Sequence, residues 1–275
     1  MGLLGIVAAA VVSIAAAVVL AFYLGQRALL YPAPHGYAPP AAVGLADFAE
    51  DPLTADDGTT VMVWSHPAAP DRPTVLHLHG NGDSLPGLAD QLAAWSADGW
   101  GVCALTYRGY PGSGGAPTED ALVADAIAAF DRLVARGVPA ADIVLSGYSL
   151  GSAIAVAVAA ERPAAALFLV GAMSSIEDVA KAHYPWLPVR TLMKDRFPSA
   201  ERAARVQAPA VLVHGADDRV VPLRFAKRLF AHLPEPKRLT VVPDGGHILP
   251  PATGWDAFVT FWRERGRDGP APGAD

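Results

Sequence analysis

Ile143-Val144-Leu145-Ser146-Gly147-Tyr148-Ser149-Leu150-Gly151-Ser152-Ala153-Ile154-Ala155-Val156-Ala157 is the stretch on which the reading of this chain turns. An apolar run, 143–146, leads into Gly147-x-Ser149-x-Gly151, and small residues suited to a helix follow. A serine at a strand-to-helix turn is held in a strained backbone conformation. The residues two before and two after it must be small, because the chain folds back sharply there. Gly147 and Gly151 meet that demand. The Ser149 hydroxyl is then expected at the carboxyl end of a sheet, with a helix N-terminus behind it where developing negative charge is favoured. Five residues alone match by chance often enough that the surrounding chain must carry the rest of the argument.

Outward from this point, short apolar runs alternate with stretches of helical period. Runs 60–64, 74–78, 101–106, 165–170, 210–213 and 239–242 read as further strands, most without polar alternation, which predicts a sheet covered on both faces. Leu88, Leu92 and Trp95 follow a 4,3 spacing, as do Val123, Ile127, Phe130 and Val134, with Asp120, Asp125, Asp131 and Arg132 off that stripe. Thr118 precedes Glu119 and Asp120, an N-cap with acids in the first turn. Leu229 and Phe230 fall in a helix after Pro222, and Trp255, Phe258, Val259 and Trp262 mark a last one. This alternation predicts an α/β chain with a mostly parallel sheet and helices on both faces.

The chain has 275 residues, 52% apolar and 17% charged, which excludes intrinsic disorder and suggests one α/β domain with an appendage. Its single cysteine, Cys103, lies in an apolar run and excludes a disulfide scaffold and a four-thiolate zinc site. A net charge of −6 does not favour nucleic acid as a partner. The appendage is residues 3–24, 22 uncharged positions of which only Gly5 and Ser13 are not apolar. As a helix it spans about 33 Å, the thickness of a bilayer core. A buried core helix and a cleaved signal peptide are the competing readings. The run is long for the first, and it lacks the basic n-region and clear cleavage site of the second. Arg27 is the sole basic residue near either end, so the side of the membrane is left open. Pro32, Pro34, Pro39 and Pro40 then stiffen a connector.

A serine hydroxyl is a poor nucleophile unless an imidazole accepts its proton, and the imidazole needs a carboxylate to fix its tautomer. Two loops after strands supply them in the chain order serine, acid, histidine: His214-Gly215-Ala216-Asp217-Asp218-Arg219-Val220-Val221-Pro222 and Gly245-Gly246-His247. His79-Gly80-Asn81-Gly82 follows the strand 74–78 and offers the backbone N–H of Asn81, beside that of Leu150, as donors for an oxyanion.

Over residues 45–262 these features resemble the α/β-hydrolase family, and within it membrane-anchored single-domain lipid esterases and acyl-protein thioesterases. The resemblance rests on the serine turn, His79 to Gly82, Tyr107-Arg108-Gly109-Tyr110 with Ser113 and Gly114, the loop Gly215 to Pro222, and His247. It implies an α/β-hydrolase fold with Ser149 as nucleophile, Asp218 as acid, His247 as base, and Asn81 and Leu150 at the oxyanion hole. Asp218 is preferred to Asp217 because the family's acid loop resembles Gly-x-x-Asp-x-x-Val-Pro, which begins here at Gly215. Pro111 departs from the glycine usual after the second tyrosine. The implied organisation is an N-terminal anchor (1–26), a proline-rich linker (27–44), a catalytic domain (45–262) and a flexible tail (263–275).

The expected activity is cleavage of carboxylic esters or thioesters with an acyl chain, without metal or other cofactor. The partners are an acyl substrate and the membrane. An aminopeptidase or amidase uses the same chemistry, and a non-enzymatic scaffold would lack a member of the triad. His77 and His79 share a strand face but have no third ligand pattern, so structural or loop roles are expected. Arg108 is expected to pair with a carboxylate, and His214 to satisfy backbone groups. Residues 176–206 interrupt the alternation and carry six Lys or Arg against four acids. They are either a surface excursion or a lid over an apolar acyl site.

Overall fold

Apolar strands without alternation need cover on both faces, and the sheet they build has it. The computed structural model describes residues 2–266. In chain order its elements are α1 (Leu3–Leu30), β1 (Ala49–Glu50), β2 (Leu53–Thr54), β3 (Thr60–Val61), β4 (Val63–His66), β5 (Thr74–Leu78), α2 (Ala89–Ala97), β6 (Gly101–Leu105), α3 (Glu119–Ala135), β7 (Ile143–Tyr148), α4 (Leu150–Ala159), β8 (Ala166–Val170), α5 (Ile176–His183), α6 (Val189–Leu192), α7 (Ser199–Arg202), β9 (Ala210–Gly215), α8 (Leu223–His232), β10 (Lys237–Val242) and α9 (Pro251–Glu264).

Eight strands form one sheet in the order β1-β4-β6-β5-β7-β8-β9-β10. The six from β6 to β10 are parallel, and β4 and β1 add antiparallel at one edge. From β5 the chain moves outward to β6, then crosses over to β7 on the other side. The connections leaving β5 and β7 therefore diverge, and a crevice opens at the carboxyl ends of those strands. One face of the sheet packs on α3, α4 and α8, with Phe130, Ile154 and Leu229 buried; the other packs on α2 and α9 through Trp95, Trp100, Trp255 and Phe258. All of α4 is buried, which its small residues permit.

Several expectations shift in detail. The run 60–64 is two strands, because the N–H of Met62 leaves the ladder for the Ser113 hydroxyl at 2.8 Å. In α3 Val123, Ile127 and Phe130 pack on the core as expected, but Val134 is 42% exposed and Leu122, Asp125, Ala126 and Ala129 are buried beside the expected stripe. Asp125 is drawn inward by the Arg108 guanidinium, with Nε and Nη2 donating at 2.7 and 2.8 Å. Arg108 thus has the carboxylate partner expected of it. The Thr118 cap is as expected, its hydroxyl accepting from Ala121 N–H at 3.1 Å. The tail expected from residue 263 starts later, since Arg263 and Glu264 close α9, and residues 267–275 lie outside the described residues.

The helix α1 is long and apolar enough to cross a membrane, and none of its residues is buried. It runs to Leu30, past the expected boundary at residue 26, and Tyr31 enters the core. Its last turns grip the body. Gln26 donates to the Leu192 carbonyl at 3.2 Å and accepts from the Lys194 N–H at 2.8 Å, and Arg27 pairs with Asp195 at 2.9 Å. The 176–206 segment holds α5, α6 and α7. Its Ile176, Phe197, Ala203 and Val206 join the main core rather than forming a separate one. Glu119 ties it down by accepting from the N–H groups of Arg196 and Phe197 at 2.7 and 2.8 Å and from the Arg202 guanidinium at 2.7 Å.

Candidate active site

Strand β7 ends at Tyr148 and α4 starts at Leu150, which leaves Ser149 alone at the turn with φ 50° and ψ −113°. A non-glycine residue in such a conformation costs on the order of 1–3 kcal/mol and persists only where its surroundings enforce it. Here the enforcement is visible. A methyl group at 147 would overlap the Gly151 carbonyl, and one at 151 would overlap the Leu78 carbonyl at the end of β5. The Ser149 N–H donates to the Val170 carbonyl at 2.9 Å, which ties the turn to β8.

His247, in the loop between β10 and α9, brings Nε2 to 3.0 Å from the Ser149 hydroxyl oxygen and Nδ1 to 2.7 Å from Asp218 Oδ2. A carboxylate only accepts, so Nδ1 carries the proton and Nε2 is free to receive one from Ser149. Asp218 lies in the loop after β9 and is 5% exposed, whereas Asp217 is exposed to solvent. Burial by itself would raise the Asp218 carboxyl. Hydrogen bonds from His214, His247 and the Val221 N–H outweigh burial and hold it well below the usual carboxylate range. The Val220 N–H adds a further bond to Oδ1 at 2.9 Å.

Leu150 opens α4, so its N–H is among those with no intrahelical acceptor. Asn81 lines the same cleft as Ser149 and His247, and its side-chain oxygen accepts from the Tyr110 hydroxyl at 2.8 Å. Tyr107 donates to the His79 carbonyl at 2.6 Å. The two tyrosines of the 107–110 motif thereby brace the loop that carries Asn81. The cleft has a volume of about 480 Å³, with Asp83, Leu88, Gln91 and Ile248 on its walls. Burial raises the Asp83 carboxyl there. Among the described residues none from 176–206 lines it.

Three contacts of the site are not legible in the sequence. His214 Nε2 donates to the Val221 carbonyl at 2.8 Å, the backbone role expected, but it also lies 3.3 Å from Asp218 Oδ2. Tyr148 donates to the His247 carbonyl at 3.1 Å, with its ring centroid 5.4 Å from the imidazole. Gly171, at φ 61°, leaves room for the imidazole, since a methyl there would meet His247 Cε1 at 3.2 Å. Only the third had a sequence signal, a glycine directly after an apolar strand. His77 and His79 take structural roles, facing the Ser146 hydroxyl at 3.0 Å and the Gly80 carbonyl at 2.7 Å. Burial pushes them down to about 3 and about 4. Among the described residues no group of three or more side chains is arranged to hold a metal ion.

Residues 69–201 match the family model described as serine aminopeptidase, S33. The chain is 38% identical over 247 residues to the uncharacterized protein Rv2307c of Mycobacterium tuberculosis, covering 89% of this chain and 88% of that one. Among solved structures, the acetyl xylan esterase from Paenibacillus sp. R4 superposes with a TM-score of 0.67 at 20% identity, over 88% of this chain and 93% of that one. Puromycin hydrolase superposes with a TM-score of 0.66 at 20% identity over 82% of this chain, which spans 40% of that longer protein. Sheet order, serine turn and family model agree, and the chain belongs to the α/β-hydrolase family as a serine hydrolase of the esterase and peptidase type.

Proposed function

We propose that this protein is a membrane-anchored serine hydrolase that cleaves carboxylic ester or thioester bonds of acyl-chain substrates. The observation that carries the reading is the continuous hydrogen-bonded path from the Ser149 hydroxyl through His247 to Asp218. Ser149 attacks the acyl carbonyl while His247 Nε2 takes its proton. Asp218 holds the tautomer and stabilises the imidazolium. The backbone N–H groups of Asn81 and Leu150 receive the oxyanion, each worth about 3–4 kcal/mol when preorganised. His247 returns the proton to the leaving group, and water, deprotonated by the same imidazole, releases the acyl-enzyme.

The helix α1 is read as a retained anchor. In support, Gln26 and Arg27 each make two hydrogen bonds to the 192–195 segment, contacts that a removed leader would forfeit. An aminopeptidase is the second reading, favoured by the description of the matching family model. The full chain in detergent, offered an acyl ester, the matched thioester and an aminoacyl anilide, separates them. The ester reading predicts kcat/KM on ester or thioester above that on the anilide by about 10²-fold or more. Preference for the anilide would replace it with the aminopeptidase reading.

A further inference from the structure

A second cavity of about 480 Å³ lies between the last turns of α1 and the α5–α6 stretch. Phe22, Leu30, Val179, Leu187, Leu192 and Met193 give it apolar walls. Arg219 and Val220, which directly follow Asp218, close one side. No lining residue is common to this cavity and the catalytic cleft. We propose that it binds one acyl chain of an anionic phospholipid drawn sideways from the bilayer, an inference that rests on reading α1 as a retained membrane span.

The position of the cavity along α1 selects the occupant. About 20 residues cross the hydrocarbon core at 1.5 Å each, so counting from Leu3 the residues beyond Phe22 stand at headgroup depth, and the cavity stands with them. The surface there has interfacial chemistry. Phe22 lies 5.7 Å from the Tyr184 ring and 5.8 Å from that of Trp186, and Trp186 is 61% exposed. Tryptophan and tyrosine concentrate where one end of the side chain is apolar and the other wet. Leu29, also on the cavity wall and exposed, extends the apolar surface onto the outside of the helix. A water-soluble ligand would use none of this.

Charge supplies the headgroup. Lys194 stands 4.4 Å over the ring of Tyr23, another wall residue. Arg190 in α6 and Arg219 on the cavity wall have no carboxylate partner among the described residues. Arg219 on the wall and Lys194 over a wall ring, with Arg190 in the helix that walls the hole, suit a phosphodiester whose chain lies inside.

The test uses the full chain reconstituted in phosphatidylcholine vesicles that contain phosphatidylglycerol with a photoactivatable diazirine in its acyl chain, with adducts mapped by mass spectrometry. Adducts are expected both on residues 3–20 of α1 and on Val179, Ala180, Leu187 or Leu192. Filling the hole with Ala180→Trp or Met193→Trp should lower the cavity adducts by about ten-fold or more, while fluorophosphonate labelling of Ser149 reports that each variant is folded. Adducts on α1 without cavity adducts overturn the proposal and leave the membrane span standing. Absence of both overturns the two together. Cavity adducts that persist in the filled variants, or that form equally with a phosphatidylcholine probe, overturn respectively the cavity and the anionic headgroup. Chain-to-chain cross-links from a photoactivatable methionine at 193, in place of lipid adducts, would give the face to a second copy and also overturn the proposal.

Discussion

At the residue scale the site depends on atoms that have no room to move. Gly151 sits against the Leu78 carbonyl, so Gly151→Ala forces β5 and the serine turn apart. Overpacking of this kind costs about 1–3 kcal/mol, and more where backbone must move, and urea unfolding should show it as a lower midpoint; an unchanged midpoint would mean the turn is not as tight as described. Asp218→Asn keeps the shape but lets the His247 ring adopt the wrong tautomer. A fall in kcat/KM of roughly 10⁴ is expected, and a loss below ten-fold would remove Asp218 from the acid's role. His77 and His79 are buried neutral, pushed down to about 3 and about 4 from an ordinary 6.5. As pH falls below 6.5 the unfolded chain takes up protons that the folded chain refuses, so their contribution is full above that pH and lost below it. The slope is up to about 1.4 kcal/mol per pH unit for each ring. Urea unfolding at stepped pH should give a shallower slope in His77→Gln than in the unsubstituted chain, and equal slopes would contradict the account.

At the element scale, the pieces with strong local signals were legible in sequence. The inner strands, the Thr118 cap and the serine turn each declare themselves within a few residues, because apolar runs, caps and Gly-x-Ser-x-Gly are local patterns. What was not legible depends on partners distant in the chain. The burial of Asp125 in α3 is matched by Arg108, 17 residues away, and no periodicity within the helix encodes that pair. Likewise His214 and Tyr148 support the site through contacts that only the closed sheet creates. The choice of Asp218 over Asp217 came from the family's loop pattern, since two adjacent carboxylates look alike until one of them is buried. The ion pair yields its own prediction. Asp125→Ala strips the buried Arg108 guanidinium of its bidentate partner, which is expected to lower stability by about 3 kcal/mol. A calorimetric Tm equal to that of the unsubstituted chain would show that Asp57, the other carboxylate on Arg108, is enough.

At the scale of the whole molecule, one end of the sheet is joined to an apolar helix by a few polar contacts. Gln26 and Arg27 fix α1 to the 192–195 segment, and Glu119 fixes that segment to the body. With α1 in the bilayer, as proposed, the candidate site would meet substrates near the membrane surface. That consequence matters only if the hydroxyl at the serine turn is a working nucleophile. The direct test is reaction of the full chain with a fluorophosphonate probe, comparing the unsubstituted protein with Ser149→Ala and His247→Ala under native conditions. One modified residue is expected, Ser149, with no labelling in Ser149→Ala and at most slow labelling in His247→Ala. Equal labelling of all three proteins, or modification at another residue, would contradict it.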